Sequence, residues 1–317
     1  MNSLRNANPM REKMDPIVID TKMHGGDGIT AAFLLRARKT ALVETGPKSS
    51  YPVVRAALKD LGVDHLDWII VTHIHLDHAG AAGTLARDFP EATVAVHTVG
   101  APHLLSPAKL WASAGRIYGD QMDRLWGGID PIPEERIRTL DDGDEIDLGD
   151  RRLLAVDTPG HARHHHAFVD DSTGIALCGD ALGVRLPNVG VVRPATPPPE
   201  FHVEDTIKSI ERLRSIAPSA LWLTHFGAAN RGQEPLDVDG ACDAAISSLR
   251  KWEGWVRAAR AESTELDEVT AHVRNRARSD MESAIAPDDA ARMEQTTSYR
   301  MNVSGYMRYI DKSEARG

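Results

Sequence analysis

The sequence predicts a layered α/β (α+β) fold, a core of short apolar strands alternating with helices that is followed by helices alone. Three observations carry this. Compact apolar runs bounded by turn residues recur between Ile17 and Leu223, helical spacing separates several of them, and from about Arg231 onward the spacing is helical throughout. A chain of 317 residues with 42% hydrophobic and 26% charged residues has an ordinary globular composition and can bury a substantial core.

The elements follow in order. Residues 1–15 are polar and are expected to be a flexible start. Segments 17–22, 30–37 and 40–44 read as strands of an antiparallel meander, closed by Thr45-Gly46-Pro47. Val54, Leu58 and Leu61 give 51–61 a helical face that stops at Gly62, and 68–71 is a buried strand. A short helix is expected over 79–89 and a strand over 93–97. Between 102 and 133, Leu104, Leu110, Trp111, Ile117, Tyr118, Met122 and Trp126 recur with helical spacing and no strand pattern, which predicts a helical insertion. Strands resume at 152–157, 167–170 and 175–178, a proline-rich loop spans 193–200, and a helix over 203–216 leads to a last strand over 220–223. The core is thus placed at 16–230, and the extension at 231–317 is expected to hold helices near 242–261, 265–284 and 287–310.

The run His73-Ile74-His75-Leu76-Asp77-His78 lies between a buried strand and a helix. In an extended turn, residues two apart point the same way, so His73 and His75 can bind one ion while Asp77 and His78 face a second position. Imidazole nitrogens and carboxylate oxygens suit zinc, iron or manganese alike. Such a site needs further ligands from distant strand ends. Thr158-Pro159-Gly160-His161, Cys178-Gly179-Asp180 and Thr224-His225 each end a strand and supply them.

Together, the run Thr72-His73-Ile74-His75-Leu76-Asp77-His78-Ala79-Gly80, then Thr158-Pro159-Gly160-His161, Gly179-Asp180 and His225, resembles the metal-ligand series of the metallo-β-lactamase superfamily, in the order seen in glyoxalase II-like hydrolases. The resemblance covers about 16–230. It implies an αββα sandwich in which His73, His75 and His161 hold one metal, Asp77, His78 and His225 hold a second, and Asp180 bridges both. Two departures stand out. Many members carry Asp where this chain has Glu44, and the stretch after His161 reads Ala162-Arg163-His164-His165, with His165 where the family's second His lies. Glu44 and His165 are expected behind the ligands, holding them by hydrogen bonds, and His164 and His166 are expected outside the ligand set.

The resemblance implies a dinuclear hydrolase of a small ester, lactone or thioester, with two divalent ions, zinc first. Two ions bridging a water would lower its pKa from about 15.7 toward about 7, one ion would polarise the carbonyl, and Asp77 would shuttle the proton to the leaving group. The alternative from another class is a mononuclear iron oxidoreductase similar to the persulfide dioxygenases, which would use only the first position, with His73, His161 and Asp180. Substrate contacts are expected from Trp111, Tyr118, Met122 and Trp126 of the insertion, lining an apolar pocket, and from Arg185 and Arg193, binding a substrate carboxylate. Packing of the insertion onto the sandwich or a homodimer contact is an equal use for its aromatic residues, and a surface salt bridge an equal use for the two arginines.

The remaining features exclude other classes. A formal net charge of −9 disfavours nucleic acid. Two cysteines, Cys178 and Cys242, make no disulfide framework and are expected to be buried thiols. No apolar run reaches the ~18 to 20 residues of a spanning helix, and the first fifteen residues lack an apolar signal segment, so a cytoplasmic enzyme is expected.

Overall fold

A computed structural model describes residues 14–187, 189–231 and 235–315. The flexible start expected for 1–15 lies outside the described residues, apart from Met14 and Asp15. Two six-stranded sheets face each other. The first runs β1 (Ile17–Asp20), β2 (Ala31–Leu35), β3 (Ala41–Val43), β4 (Trp68–Ile70), β5 (Thr93–His97), β6 (Ile137–Leu140), antiparallel to β3 and parallel thereafter. The second runs β12 (Gly227–Ala228), β11 (Ala220–Leu223), β10 (Ile175–Leu177), β9 (His166–Asp170), β8 (Arg152–Asp157), β7 (Glu145–Asp147).

Period-two alternation explains why β2 is buried at all five positions. Ala31, Phe33 and Leu35 point between the sheets, where they meet Val43, Phe168, Leu177 and Trp222. Ala32 and Leu34 point the other way, under α1 (Tyr51–Asp60) and α3 (Ala82–Asp88), against Val54, Leu58 and Leu85. The outer face of the second sheet is covered by α7 (Val203–Ser215), α8 (Val238–Arg260), α9 (Leu266–Asp280) and α11 (Tyr299–Glu314), through one core that includes Ile210, Leu213, Trp252, Val256, Val273 and Tyr306. The architecture is an αββα sandwich with a helical insertion and a helical C-terminal extension. That extension is part of the outer helical layer, because α8, α9 and α11 share their core with α7 and β10.

The insertion is three short helices, α4 (Ala101–Leu105), α5 (Ala108–Tyr118) and α6 (Met122–Trp126). Several boundaries differ from expectation. The helix expected over 79–89 begins earlier, as α2 (Leu76–Ala79), and breaks before α3. The helix expected over 287–310 is two, α10 (Pro287–Thr296) and α11. Thr297 is extended, and the Ser298 hydroxyl accepts from the Met301 N–H at 3.1 Å to start the second. Strands β6, β7 and β12 were not expected; β6 and β7 lie among polar turn residues at sheet edges, and β12 is only two residues long.

Candidate metal centre

All the motif residues sit just past the C-terminal ends of strands. β10 and β11 are parallel, and β8 is antiparallel to β9, itself antiparallel to β10, so β8, β10 and β11 end on one edge. His161 follows β8, Asp180 follows β10 and His225 follows β11. The His166 N–H donates to Thr72 O at 2.8 Å, joining that edge to the turn after β4 that carries His73 and His75. Asp77 and His78 lie in α2. Gly179 allows the approach, since at its φ of +51° an added Cβ would stand 2.6 Å from both Thr72 Oγ1 and His165 Nε2.

Two clusters result. His73 Nε2 and His161 Nε2 each lie 2.9 Å from His75 Nδ1. Beside them, Asp77 Oδ2 is 3.6 Å from His78 Nε2 and 3.4 Å from His225 Nε2. Asp180 spans the two, with Oδ2 3.6 Å from His161 Nε2 and Oδ1 3.4 Å from both His78 Nε2 and His225 Nε2. His73, His78, His161, Asp180 and His225 are buried.

The outer hydrogen bonds fix what the inner atoms present. His161 Nδ1–H donates to Ala195 O at 2.9 Å, and His225 Nδ1–H to Ile29 O at 2.7 Å. The Thr72 hydroxyl donates to Glu44 Oε1 at 2.5 Å, so its oxygen accepts from His73 Nδ1–H at 3.0 Å. Glu44 Oε1 also faces His78 Nδ1 at 3.3 Å and accepts from the Thr224 hydroxyl at 3.3 Å. His73, His161 and His225 therefore turn their Nε2 atoms inward. His73 Nε2 and His161 Nε2 both converge on His75 Nδ1, and Asp77 and Asp180 add negative charge beside them. Converging imidazole nitrogens with two carboxylates are a donor set that fits a divalent metal. His78 Nε2 and Asp180 Oδ1, buried without a hydrogen-bond partner, fit it too.

Titration follows the same geometry. Burial, and then the neighbouring imidazoles, push His73 and His75 well below the ordinary histidine value. Burial also opposes charge on His78 and His225, but Asp180 and Asp77 outweigh it and hold both above that value. Burial disfavours the Asp180 carboxylate as well, yet His78, His225 and His161 keep its carboxyl well below the usual range.

Glu44 is thus tied to both clusters, directly to His78 and through Thr72 to His73. His165 is placed differently from a ligand. Its Nε2 accepts from the Asp180 backbone N–H at 3.0 Å, which puts its proton on Nδ1, 2.7 Å from Thr158 Oγ1. No lone pair remains for a metal, and its contact orients Asp180. His164 lies nearby, with Nε2 3.7 Å from Glu200. A further group, His97, Asp157 and His166, reads as a clamp between the sheets. His97 Nδ1 accepts from the Val99 N–H at 2.9 Å, so its Nε2 bears the proton, toward Asp157 Oδ1 at 3.5 Å, and offers no lone pair.

A cavity of about 570 Å³ opens over the clusters, lined by His75, Asp77, His161, Asp180 and His225 and roofed by the insertion, the loop 197–199 and α11. Tyr118 and Trp126 line it. Trp111 and Met122 do not; they pack behind it, around Met23, Ile29 and Leu76. The expectation for the arginines is corrected. Arg193 is buried at 1% exposure, donates to Glu282 through Nε and Nη2 at 2.9 and 2.8 Å and to Thr297 O at 3.0 Å, and lies over the Tyr299 ring. Its guanidinium ties the loop to the extension and faces away from the cavity. The Arg185 side chain does not line the cavity either, and its backbone N–H donates to His225 O at 2.6 Å. Sequence reasoning missed Thr72, Thr158, the Ala195 carbonyl and His24, whose ring lines the cavity. Among these, His24 beside Gly25-Gly26 and Thr158 before Pro159-Gly160 carried turn signals.

Two His/Asp clusters at the open edge of an αββα sandwich form groups that could hold metal ions. Residues 25–225 match the family model of the metallo-beta-lactamase superfamily, and the chain belongs to that superfamily. It is similar to the metallo-beta-lactamase fold-containing protein ST1585 of Sulfurisphaera tokodaii, 31% identical over 169 residues, 52% of this chain and 62% of that protein. The crystal structure of ST1585 superposes with a TM-score of 0.63 at 23% identity, covering 88% of this chain and 93% of that one. The hydroxyacylglutathione hydrolase of Aeromonas salmonicida is 31% identical over 151 residues, 47% of this chain and 45% of its own length. The N-acyl homoserine lactonase AttM of Azorhizobium caulinodans is 28% identical over 190 residues, 53% of this chain and 62% of its own. The chain thus spans less than two thirds of each of these three curated relatives in sequence.

Proposed function

We propose that the chain is a dinuclear metal-dependent hydrolase of a small ester, lactone or thioester, with zinc as the first choice of metal. The observation that carries the reading is Asp180, whose two oxygens face opposite clusters at 3.4 and 3.6 Å. In this reading His73, His75 and His161 hold one ion, Asp77, His78 and His225 the other, and Asp180 both. Relatives named as a hydroxyacylglutathione hydrolase and an N-acyl homoserine lactonase support acyl-bond hydrolysis.

Bound ions would supply Lewis acidity and a hydroxide nucleophile at neutral pH. The chain's own residues do the rest. His225, His161 and His73 are held from behind, so the donor set is built before anything binds. Asp77 lines the cavity with its carboxylate facing inward. Burial opposes that charge, yet His78 and His225 keep its carboxyl far below the usual range. Asp77 is therefore placed to accept a proton near the reacting carbonyl and pass it to the leaving group.

The equal burial and inward aim of the second cluster favour this reading over a mononuclear iron dioxygenase, which would leave Asp77, His78 and His225 without a metal. The test is a panel of aryl esters, lactones, thioesters and persulfides, run on protein of measured metal content. Two metal equivalents per chain with hydrolysis is the expected result. One iron per chain with oxygen consumption on a persulfide would overturn it.

A further inference from the structure

We propose that His24 and Trp126 form a hydrogen-bonding subsite for a carbonyl oxygen of the substrate, beside the metal clusters. The inference rests on the acyl-bond hydrolase reading and adds to it a residue that the motif does not contain.

His24 lies in the loop between β1 and β2, in the left-handed region at φ +54° and ψ +22°. Glycine adopts that conformation without steric cost, and Gly25 and Gly26 follow directly, yet a bulky imidazole occupies the strained position. Strain of this kind persists where the surroundings over-determine it, commonly at a binding site. The ring is held edge-on to Trp126, with centroids 5.5 Å apart and planes at 71°. Both rings line the cavity that holds Asp77, His75, Asp180 and His225.

Each ring also holds a buried nitrogen with no hydrogen-bond partner among the described residues, His24 Nε2 and Trp126 Nε1. Buried donors without acceptors are costly, and such exceptions call for an explanation. Burial holds the His24 ring below the ordinary histidine value, hence neutral, and with its proton on Nε2 it donates one hydrogen bond. The indole donates one more. A carbonyl oxygen is the matching acceptor, so the subsite fits an ester, lactone, thioester or amide carbonyl that reaches these two rings from the cavity.

The test compares wild type with His24→Gly, His24→Asn and Trp126→Phe. Glycine and asparagine both accept the left-handed backbone, so a folding defect does not cloud the result. Melting temperature, metal content and kcat/KM on an aryl ester are measured, together with binding of the corresponding aryl amide by tryptophan fluorescence. His24→Gly is expected to melt at or above the wild-type temperature and to keep its metal, while kcat/KM falls roughly tenfold or more through KM, and amide binding weakens alike. His24→Asn is expected to retain part of the binding, and Trp126→Phe to weaken it. Equal amide affinity in wild type and His24→Gly, or no amide binding to wild type, would overturn the subsite. His24-dependent amide binding by a wild type that hydrolyses no ester, lactone or thioester would sink the hydrolase reading alone.

Discussion

Replacing Glu44 tests whether one buried carboxyl group ties both clusters to the sheets. Glu44 Oε1 accepts from the Thr72 and Thr224 hydroxyls and faces His78 Nδ1, all within 3.3 Å in a fully buried setting. Glu44→Ala leaves the two hydroxyl donors without that acceptor and removes the carboxylate beside His78. At about 1–3 kcal/mol for each hydroxyl, the loss is at least roughly 2 kcal/mol out of a typical total of about 5–15 kcal/mol. Glu44→Gln keeps a carbonyl oxygen in place and removes the charge, so its stability cost is smaller. Its effect falls on the metal instead, since lost support behind His78 and, through Thr72, behind His73 lowers affinity by about 10–100-fold, or about 1.4–2.7 kcal/mol. Urea unfolding of metal-free protein reads the first quantity, and zinc competition against a chromophoric chelator reads the second. Wild-type stability in Glu44→Ala together with wild-type zinc affinity in Glu44→Gln would refute the reasoning.

Asp77→Asn is expected to lower kcat by about 10²–10⁴-fold while metal stays bound, as measured by metal analysis beside turnover; unchanged turnover with metal retained sinks the proton-shuttle role. Arg193→Ala strands the buried carboxylate of Glu282 and is expected to cost about 3–5 kcal/mol in urea unfolding, because one partner of a buried ion pair is gone. His164 and His166 supply a pH dependence. Burial pushes both from 6.5 down to about 4, so between those values the unfolded chain binds protons that the folded chain refuses. Stability of metal-free protein should fall as pH drops through that window, by up to about 1.4 kcal/mol per pH unit for each ring. Urea titrations at pH 7, 6 and 5 check the slope.

The long, strongly patterned elements were legible in the sequence. Strands over 93–97, 152–157 and 220–223 appear where their apolar runs lie, and ligand-bearing turns follow the latter two. The motif His73 to His78 was legible for a similar reason, since the spacing of its donors is local and follows from backbone geometry. Less legible were β6 and β7, short edge strands whose polar composition matches their turns, and the break at Thr297, where an extended residue interrupts otherwise continuous helical spacing.

Local periodicity in the sequence carried the layered fold, and a resemblance built on one short run of donors and three strand-end motifs carried the superfamily and the seven candidate ligands. Tertiary structure decided how Glu44 anchors His78 and His73 together and that the His165 ring is spent on the Asp180 backbone. It also turned Arg193 away from the cavity, toward Glu282, and brought His24 and Trp126 into it. Those outcomes depend on distances between residues as much as 180 positions apart, as from Thr224 to Glu44. Residue order carries no such distance until two sheets pack and one edge gathers the strand ends.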